Sequence, residues 1–533
     1  MSLGKRKNHE YETIAATKKN GAKDYSSVAP TKGNGKRKDE RESAAENTFK
    51  PKVSATETIE TLAEVNYPSV SPIITARPAA DEDVSYSDQK KNEKERKKTL
   101  KSERLLGADD WIVRNGHSIT FVGIFLFTFF VFFRPYELIP GMDFLKSGAF
   151  LIAAATILIY IPTQLSAEGS LTILSTEVKC VLALTALALV TMPIARDPAL
   201  AWETFNDPFV KAVLIFIMMV NVVRTRRRLM ILLWLSFTIS VYISFTAISL
   251  YLRGEFKTEG YRVSIEMLGL FNNPNDLAMH LITMMPIIIT LGLATKNILL
   301  RFFYFALGVL FLAASLVTFS RGGFLGLIVM SAILIWKLGR AQRLKYTIAG
   351  AVGGGLLVLL APGNYGLRIL SIFFPALDPV GSADARREGL ITSIIVTIRN
   401  PWGIGIGNSV IFGHRNLQTH NAYTQVSSEL GVLGLAAYLI FIVSAFRKLG
   451  AIEHTQMRAN ERDWFYYLAI GLQGSLAAFM VTSFFGSVAY IWYVYYLVAY
   501  AVAFQRIYHT EKGLTKEIQA ESLREKFSVW QTA

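Results

Sequence analysis

Residues 419–446 read THNAYTQVSSELGVLGLAAYLIFIVSAF: a polar head with a histidine, an amide and a phenol, then a glutamate, then an uninterrupted apolar run. About 17 to 25 apolar residues are enough for a helix to cross a hydrocarbon core, and runs of this kind recur from residue 118 to residue 504. The chain is therefore read as all-α, a polytopic membrane protein. Its composition agrees: of 533 residues, 51% are hydrophobic and 12% aromatic, with a mean hydropathy of +0.32. A formal net charge of +15 is accounted for by lysine and arginine at cytoplasmic ends of spans. The basic segments lack the interleaved aromatic residues of a nucleic-acid surface, so no nucleic acid is expected as a partner. With Cys180 as the single cysteine, no disulfide framework, zinc site or thiol redox pair can be built.

Outward from that stretch, residues 1–110 are rich in Lys, Glu, Ser, Thr, Asn and Ala. Such a segment cannot bury enough apolar surface to offset its ordering entropy, and it is read as a disordered, basic cytoplasmic tail. No short apolar core with a small-residue cleavage site lies near Met1, so the first span is expected to act as an uncleaved signal. The charge run Lys90 to Lys98 either touches anionic lipid or is a solvated segment that holds the N-terminus inside. Residues 111–504 form the membrane domain, with about twelve spans expected from hydropathy. They fall near 118–133, 145–162, 177–194, 209–223, 229–251, 277–294, 300–319, 322–338, 345–361, 422–446, 464–485 and 488–504. Residues 505–533 are a second cytoplasmic tail.

Placing the N-terminus in the cytoplasm puts three basic connections on the same side: Arg224 with Arg226, Arg227 and Arg228; Lys337 with Arg340, Arg343 and Lys345; and Arg447 with Lys448, Arg458 and Arg462. The same orientation leaves a long outer loop, about residues 362–421, before the tenth helix. Loops of that length usually carry function or structure of their own. Within it, Ala383 to Arg399 has a helical pattern, with Leu390, Ile394, Ile395 and Ile398 on one face. This is the pattern of an amphipathic helix lying at a membrane surface.

The arginines that break the positive-inside rule are the candidate binding residues. Arg262 precedes Asn272-Asn273-Pro274-Asn275-Asp276, Arg321 lies in Ser320-Arg321-Gly322-Gly323 between two spans, and Arg386, Arg387, Arg399 and Arg415 lie in the outer loop. A guanidinium is always charged, and its planar fork of donors matches phosphate oxygens. Several of them on one face imply an anionic partner. Taken singly, each is better explained by a lipid headgroup contact or a structural ion pair. Arg321 differs, because burying it to no purpose between spans would cost roughly 2.5 to 3.5 kcal/mol, and Gly322 and Gly323 would let backbone or substrate approach. His420 is the candidate proton acceptor, since imidazole titrates nearest neutrality; His414 competes with it, and His280 is read as packed within the bundle. No histidine and carboxylate spacing matches a metal box, so no protein-bound metal and no cofactor are expected.

Taken in order, Asn272-Asn273-Pro274-Asn275-Asp276-Leu277-Ala278, Ser320-Arg321-Gly322-Gly323, Asn400-Pro401-Trp402-Gly403-Ile404-Gly405-Ile406-Gly407 and His420-Asn421 with Glu429-Leu430-Gly431 resemble the O-antigen ligase and polysaccharide polymerase superfamily. The resemblance runs over about residues 118–504. It implies a membrane glycosyltransferase that moves a glycan from an undecaprenyl-diphosphate donor to an acceptor hydroxyl at the outer face of the bacterial inner membrane. The acceptor would be lipid A core in a ligase and a second lipid-linked glycan in a polymerase. It further implies that Arg321 and one of Arg386 and Arg387 bind the diphosphate, with Arg262 as a further phosphate contact. His420 would activate the acceptor, supported by Asn421, Tyr423 and Glu429. Leu390 stands near where the family carries a tryptophan after its loop arginine, so the resemblance leaves open which of Arg386 and Arg387 corresponds to that arginine. Transfer would be metal-independent and inverting. The alternative is a transporter of a small anion or envelope precursor, against which stand the lack of an internal repeat and the gathering of charge at the outer boundary.

Overall fold

The computed structural model describes residues 116–134, 141–142, 148–256, 258–265, 271–361, 365–371, 374, 382–413 and 419–513. All belong to one compact unit, Asp83–Ala533. The N-terminal tail with its Lys90 to Lys98 run, His414 and Arg415 lie outside the described residues.

Apart from an isolated bridge between Thr258 and Arg262, the described residues are helical or irregular. Four helices come first: α1 (Gly116–Phe133), α2 (Gly148–Glu168), α3 (Thr176–Thr191) and α4 (Pro198–Val222), the last with a π-helical turn at Phe205–Phe209. Then follow α5 (Arg226–Leu252), α6 (Pro274–Ala294), α7 (Ile298–Leu316), α8 (Arg321–Leu338) and α9 (Arg343–Leu360). After the short α10 (Tyr365–Leu370), α11 (Ser382–Arg399) and α12 (Ser409–Phe412) come α13 (Ala422–Arg458), α14 (Trp464–Thr482) and α15 (Trp492–Glu511).

Among the described residues, nine helices are long and apolar enough to cross a membrane. The expected count of about twelve is not reached by that measure. The other three expected stretches are helical too, but α3 has only 16 residues, while α9 and α15 carry polar or tyrosine-rich ends within their bounds. Helix α15 also runs on to Glu511, past the expected boundary at 504. The stretch expected as a loop before α13 holds α10, α11 and α12. One of these, α11, occupies nearly the span read from its periodicity.

Burial sorts the helices into layers. In their most apolar windows α6 is 83% buried and Trp464–Phe485 is 78% buried, against 22% for α2 and 28% for α7. Helix α14 packs on α6, α8 and α13, so this group forms the centre. Small residues bring the backbones together: a Cβ on Gly471 would lie 2.2 Å from Thr290 Oγ1, and one on Gly326 would lie 2.4 Å from Thr482 Cγ2. Membrane helices associate through such close contacts, because lipid offers them no hydrophobic drive to pair. On the outer layer, Leu158, Val190, Phe302 and Leu359 are exposed, as suits side chains facing lipid. This is a membrane protein.

Candidate functional site

One end of the bundle is tied by ion pairs. Arg224 and Arg506 both meet Glu168, at 2.9 and 3.1 Å; Lys448 meets Glu177 at 2.8 Å; and Arg226 meets Glu511 at 2.6 Å. The fully buried Glu453 takes both Lys337, at 2.5 Å, and Arg340. All three basic connections expected on one side therefore share this end, each with carboxylate partners.

The opposite end holds the residues singled out from the sequence. Here a cavity of about 280 Å3 is lined by Arg321, Arg386, Arg387, His420 and Asn421, together with Leu325, Leu390, Ser371, Thr419, Phe484 and Phe485. Residues far apart in sequence are thus brought to one place.

Arg321 enters as the first residue of α8. Ser320 caps that helix, its hydroxyl accepting from Gly323 N at 3.1 Å and donating to Asn275 Oδ1 at 2.9 Å. Side-chain capping of this kind satisfies the orphan donors of a first helical turn. Arg321 is buried, and its Nη1 donates to Ser371 Oγ at 2.9 Å. Gly322 and Gly323 serve a different purpose from the one expected. Added Cβ atoms would lie 2.9 Å from Phe485 Cβ and 2.9 Å from Ala278 Cβ, so these glycines admit neighbouring protein side chains, and the space for a ligand lies beside them.

Arg262 does not line the cavity. Its guanidinium is buried and engaged by Thr318 O at 3.0 Å, Glu259 at 3.2 Å and Asn275 Oδ1 at 2.8 Å. Arg368, passed over in the sequence, repeats the arrangement: it donates to Phe319 O at 2.8 Å, pairs with Glu259 at 3.0 Å and bonds the Tyr261 hydroxyl. The carbonyls of Thr318 and Phe319, at the end of α7, are thus held by two buried cations, the sign that the negative end of a helix favours. Together these contacts fix the junction from which Arg321 projects. Arg368 falls in the stretch expected as the outer loop, and the same charge signal would have found it.

On α11, Arg386 and Arg387 differ. Arg387 is exposed at the mouth and Arg386 is half-buried. Burial, with the charges of Arg321, Arg262 and Arg368, pushes the Arg386 guanidinium down to about 10; it stays charged at neutral pH. Among the described residues it has no hydrogen-bond or ion-pair partner. Arg399 is exposed at the far end of the helix. The apolar residues Ile394, Ile395 and Ile398 are exposed, while Ser393 and Val396 are buried and Thr397 meets Ser427 of α13 at 3.0 Å.

His420 sits in the left-handed region, with φ of +50°, a costly backbone for a residue with a Cβ and one that persists only when its surroundings impose it. They do: its N–H donates to Ser487 Oγ at 2.9 Å, and Thr419 Oγ1 lies 3.3 Å from the same hydroxyl. Next, Asn421 caps α13, its Oδ1 accepting from Tyr423 N and Thr424 N at 2.9 and 3.1 Å, while its Nδ2 is buried without a partner. Burial first, then the charge of Arg386, holds the His420 imidazole below its usual value. His280, as expected, is packed inside the bundle, 3.0 Å from Ser240 Oγ.

Tyr423 and Glu429 lie behind the cavity. The Tyr423 hydroxyl donates to Met480 O at 2.7 Å. The Glu429 carboxylate accepts from Ser409 N at 3.2 Å, while its backbone carbonyl accepts from Gly405 N at 3.0 Å. The Pro401 to Gly407 loop threads past a kink in α13 at Gly431. A Cβ at Gly403 would lie 2.4 Å from Glu429 O, and Gly403 has φ of +93°. The glycine-rich motif is therefore a backbone-packing device that anchors the start of α13, on which His420 depends.

Residues 306–439 match the family model described as O-Antigen ligase. The match takes in Arg321, Arg386, Arg387, His420 and Glu429, leaves out Arg262, and is narrower than the 118–504 read from the motifs. This part of the chain is thus similar to O-antigen ligases, which supports the resemblance to the O-antigen ligase and polymerase superfamily and glycan transfer of the O-antigen ligase type. No curated protein matches the chain.

Proposed function

We propose that this protein transfers a glycan from an undecaprenyl-diphosphate donor to an acceptor hydroxyl at the outer face of the bacterial inner membrane, with both chain termini in the cytoplasm. The observation that carries the reading is a single cavity presenting Arg321, Arg386 and Arg387 together with His420. Breaking a glycosyl diphosphate bond leaves negative charge on the departing group, and guanidinium groups already in place stabilise it without reorganisation. Arg321 and Arg386 take the diphosphate within the cavity and Arg387 meets it at the mouth. Arg262 acts through the α7–α8 junction as a positioning residue. Asn421 Nδ2, buried without a partner, is a further donor for substrate oxygen. His420 takes the acceptor proton, and direct displacement inverts the anomeric centre with no metal required.

The acceptor is lipid A core in a ligase or a second lipid-linked glycan in a polymerase. Purified full-length protein is given undecaprenyl-diphosphate glycan with either acceptor, with and without a chelator, and the products are separated by size. Transfer should survive the chelator and fall about 10²- to 10⁴-fold in His420→Ala, with a comparable loss in Arg321→Ala. Full activity in both variants would overturn the assignment. A ladder of products marks polymerisation; one product on lipid A core marks ligation. Because burial and Arg386 hold the His420 imidazole below its usual value of 6.5 in the free protein, kcat/KM, which reports the free enzyme, should fall on acidification only below that value.

A further inference from the structure

Every charge that the described residues bring to the cavity lining is positive: Arg321 from α8, Arg386 and Arg387 from α11. Glu388, beside them on α11, is exposed and does not line it. The carboxylate that stands behind the arginines, Glu259, is divided between Arg262 and Arg368, at 3.2 and 3.0 Å. The segment after α14 brings Phe484, Phe485 and Ser487 to the His420 turn, none of them ionisable. From α6, Asp276 approaches that segment at Gly486, where an added Cβ would lie 3.6 Å from Asp276 Oδ1. On α13 itself, the Tyr423 hydroxyl is taken by Met480 O.

Among the described residues, then, the His420 imidazole has no carboxylate and no hydrogen-bond partner to orient it. A general base is ordinarily oriented by a third group. Here the backbone is fixed with care while the ring is left without that group. Burial and Arg386 both weigh against the imidazolium that proton abstraction would form.

We infer that the donor's own diphosphate is the partner His420 lacks, so that the acceptor hydroxyl is activated only in the donor-loaded site. The inference rests on the glycan-transfer reading above. An anion held by Arg321 and Arg386 offsets the field of Arg386 at the imidazole, because an opposite charge within about 4 to 6 Å favours the charged form of a titrating group. In the transfer step the acceptor O–H proton passes to the imidazole, and the oxygen's electron pair forms the bond to the anomeric carbon. The bond from that carbon to the diphosphate oxygen breaks, its electron pair staying on the diphosphate. Imidazolium and diphosphate are then paired, and the proton leaves with the anion or to water. Donor binding must therefore precede acceptor activation.

The test uses full-length protein in nanodiscs with isotopically labelled histidine, seven residues in all, and His420→Gln to assign the signal. Farnesyl diphosphate, a polyisoprenyl diphosphate without a glycan, is the probe. At saturation it should raise the His420 titration midpoint by about one pH unit or more. Arg386→Gln should raise the midpoint without probe and shrink the probe-induced step; Arg386→Lys, which keeps the charge, should leave the midpoint low. Bound probe with an unmoved midpoint overturns the inference and spares the glycan-transfer reading. Failure of the probe to bind to folded protein overturns both.

Discussion

The two ends of the bundle use the same residue types to opposite effect. At one end Lys337 and Arg340 share Glu453, Arg224 and Arg506 share Glu168, and Arg226 meets Glu511. At the other, Glu259 serves Arg262 and Arg368, while the cavity lining holds three arginines and, among the described residues, no carboxylate. Matched cations hold helices together. Cations that face a cavity with no carboxylate among the described residues have charge to offer something else, and the stretch matching the O-antigen ligase model takes in all three of them. Position at a bundle end does not separate the two roles; the local balance of charge does.

This contrast can be broken at three points. The largest effect is expected at the matched end, where Glu453→Ala leaves Lys337 and Arg340 without their buried partner. Stability should drop by about 3 to 5 kcal/mol, seen as a lower melting temperature in detergent, with the surviving folded protein turning over normally. Next comes Arg386→Ala, which should lower transfer about 10²- to 10³-fold and leave the melting temperature unchanged; a large loss of stability instead would make Arg386 another structural cation. Arg262→Gln sharpens the comparison, since it lies at the site end yet is fully engaged. It should behave like the matched end, losing about 1 to 3 kcal/mol of stability while the donor KM stays constant. A raised donor KM at unchanged stability would return Arg262 to the diphosphate.

Much of this arrangement was legible in the sequence because it depends on local properties. Apolar run length shows which segments can become membrane helices, and the 3.6-residue period of Ala383 to Arg399 anticipated α11. Capping residues such as Ser320 and Asn421 stand where helices begin. The arginines of the loops expected on the outer side stand out as a group because each contradicts the charge expected of that side. What was not legible turns on contacts between distant segments. Arg262 and Arg321 both stand as exceptions to a charge rule, and the engagement of Arg262 by Glu259, Asn275 and the Thr318 carbonyl shows only in the assembled fold. Gly322 and Gly323 read in the sequence as room for backbone or substrate to approach, and only the fold shows Phe485 and Ala278 to be the neighbours they admit. Gly403 and Gly405 belong to one motif, but that Gly403 lets the loop cross the kink at Gly431 while Gly405 makes room for Ala195 needs all these segments in view.

The sequence by itself determined the helical, membrane-embedded class and the inventory of unusual cations, since hydrophobic length and charge sign are properties of single segments. The tertiary structure decided which cations are matched, which face one cavity, and that His420 shares it with Arg321 and Arg386. The physical reason is range: a helix is chosen over a few turns, whereas the charge state and usefulness of a buried group depend on whatever atoms lie within a few ångströms of it, however far along the chain they come from.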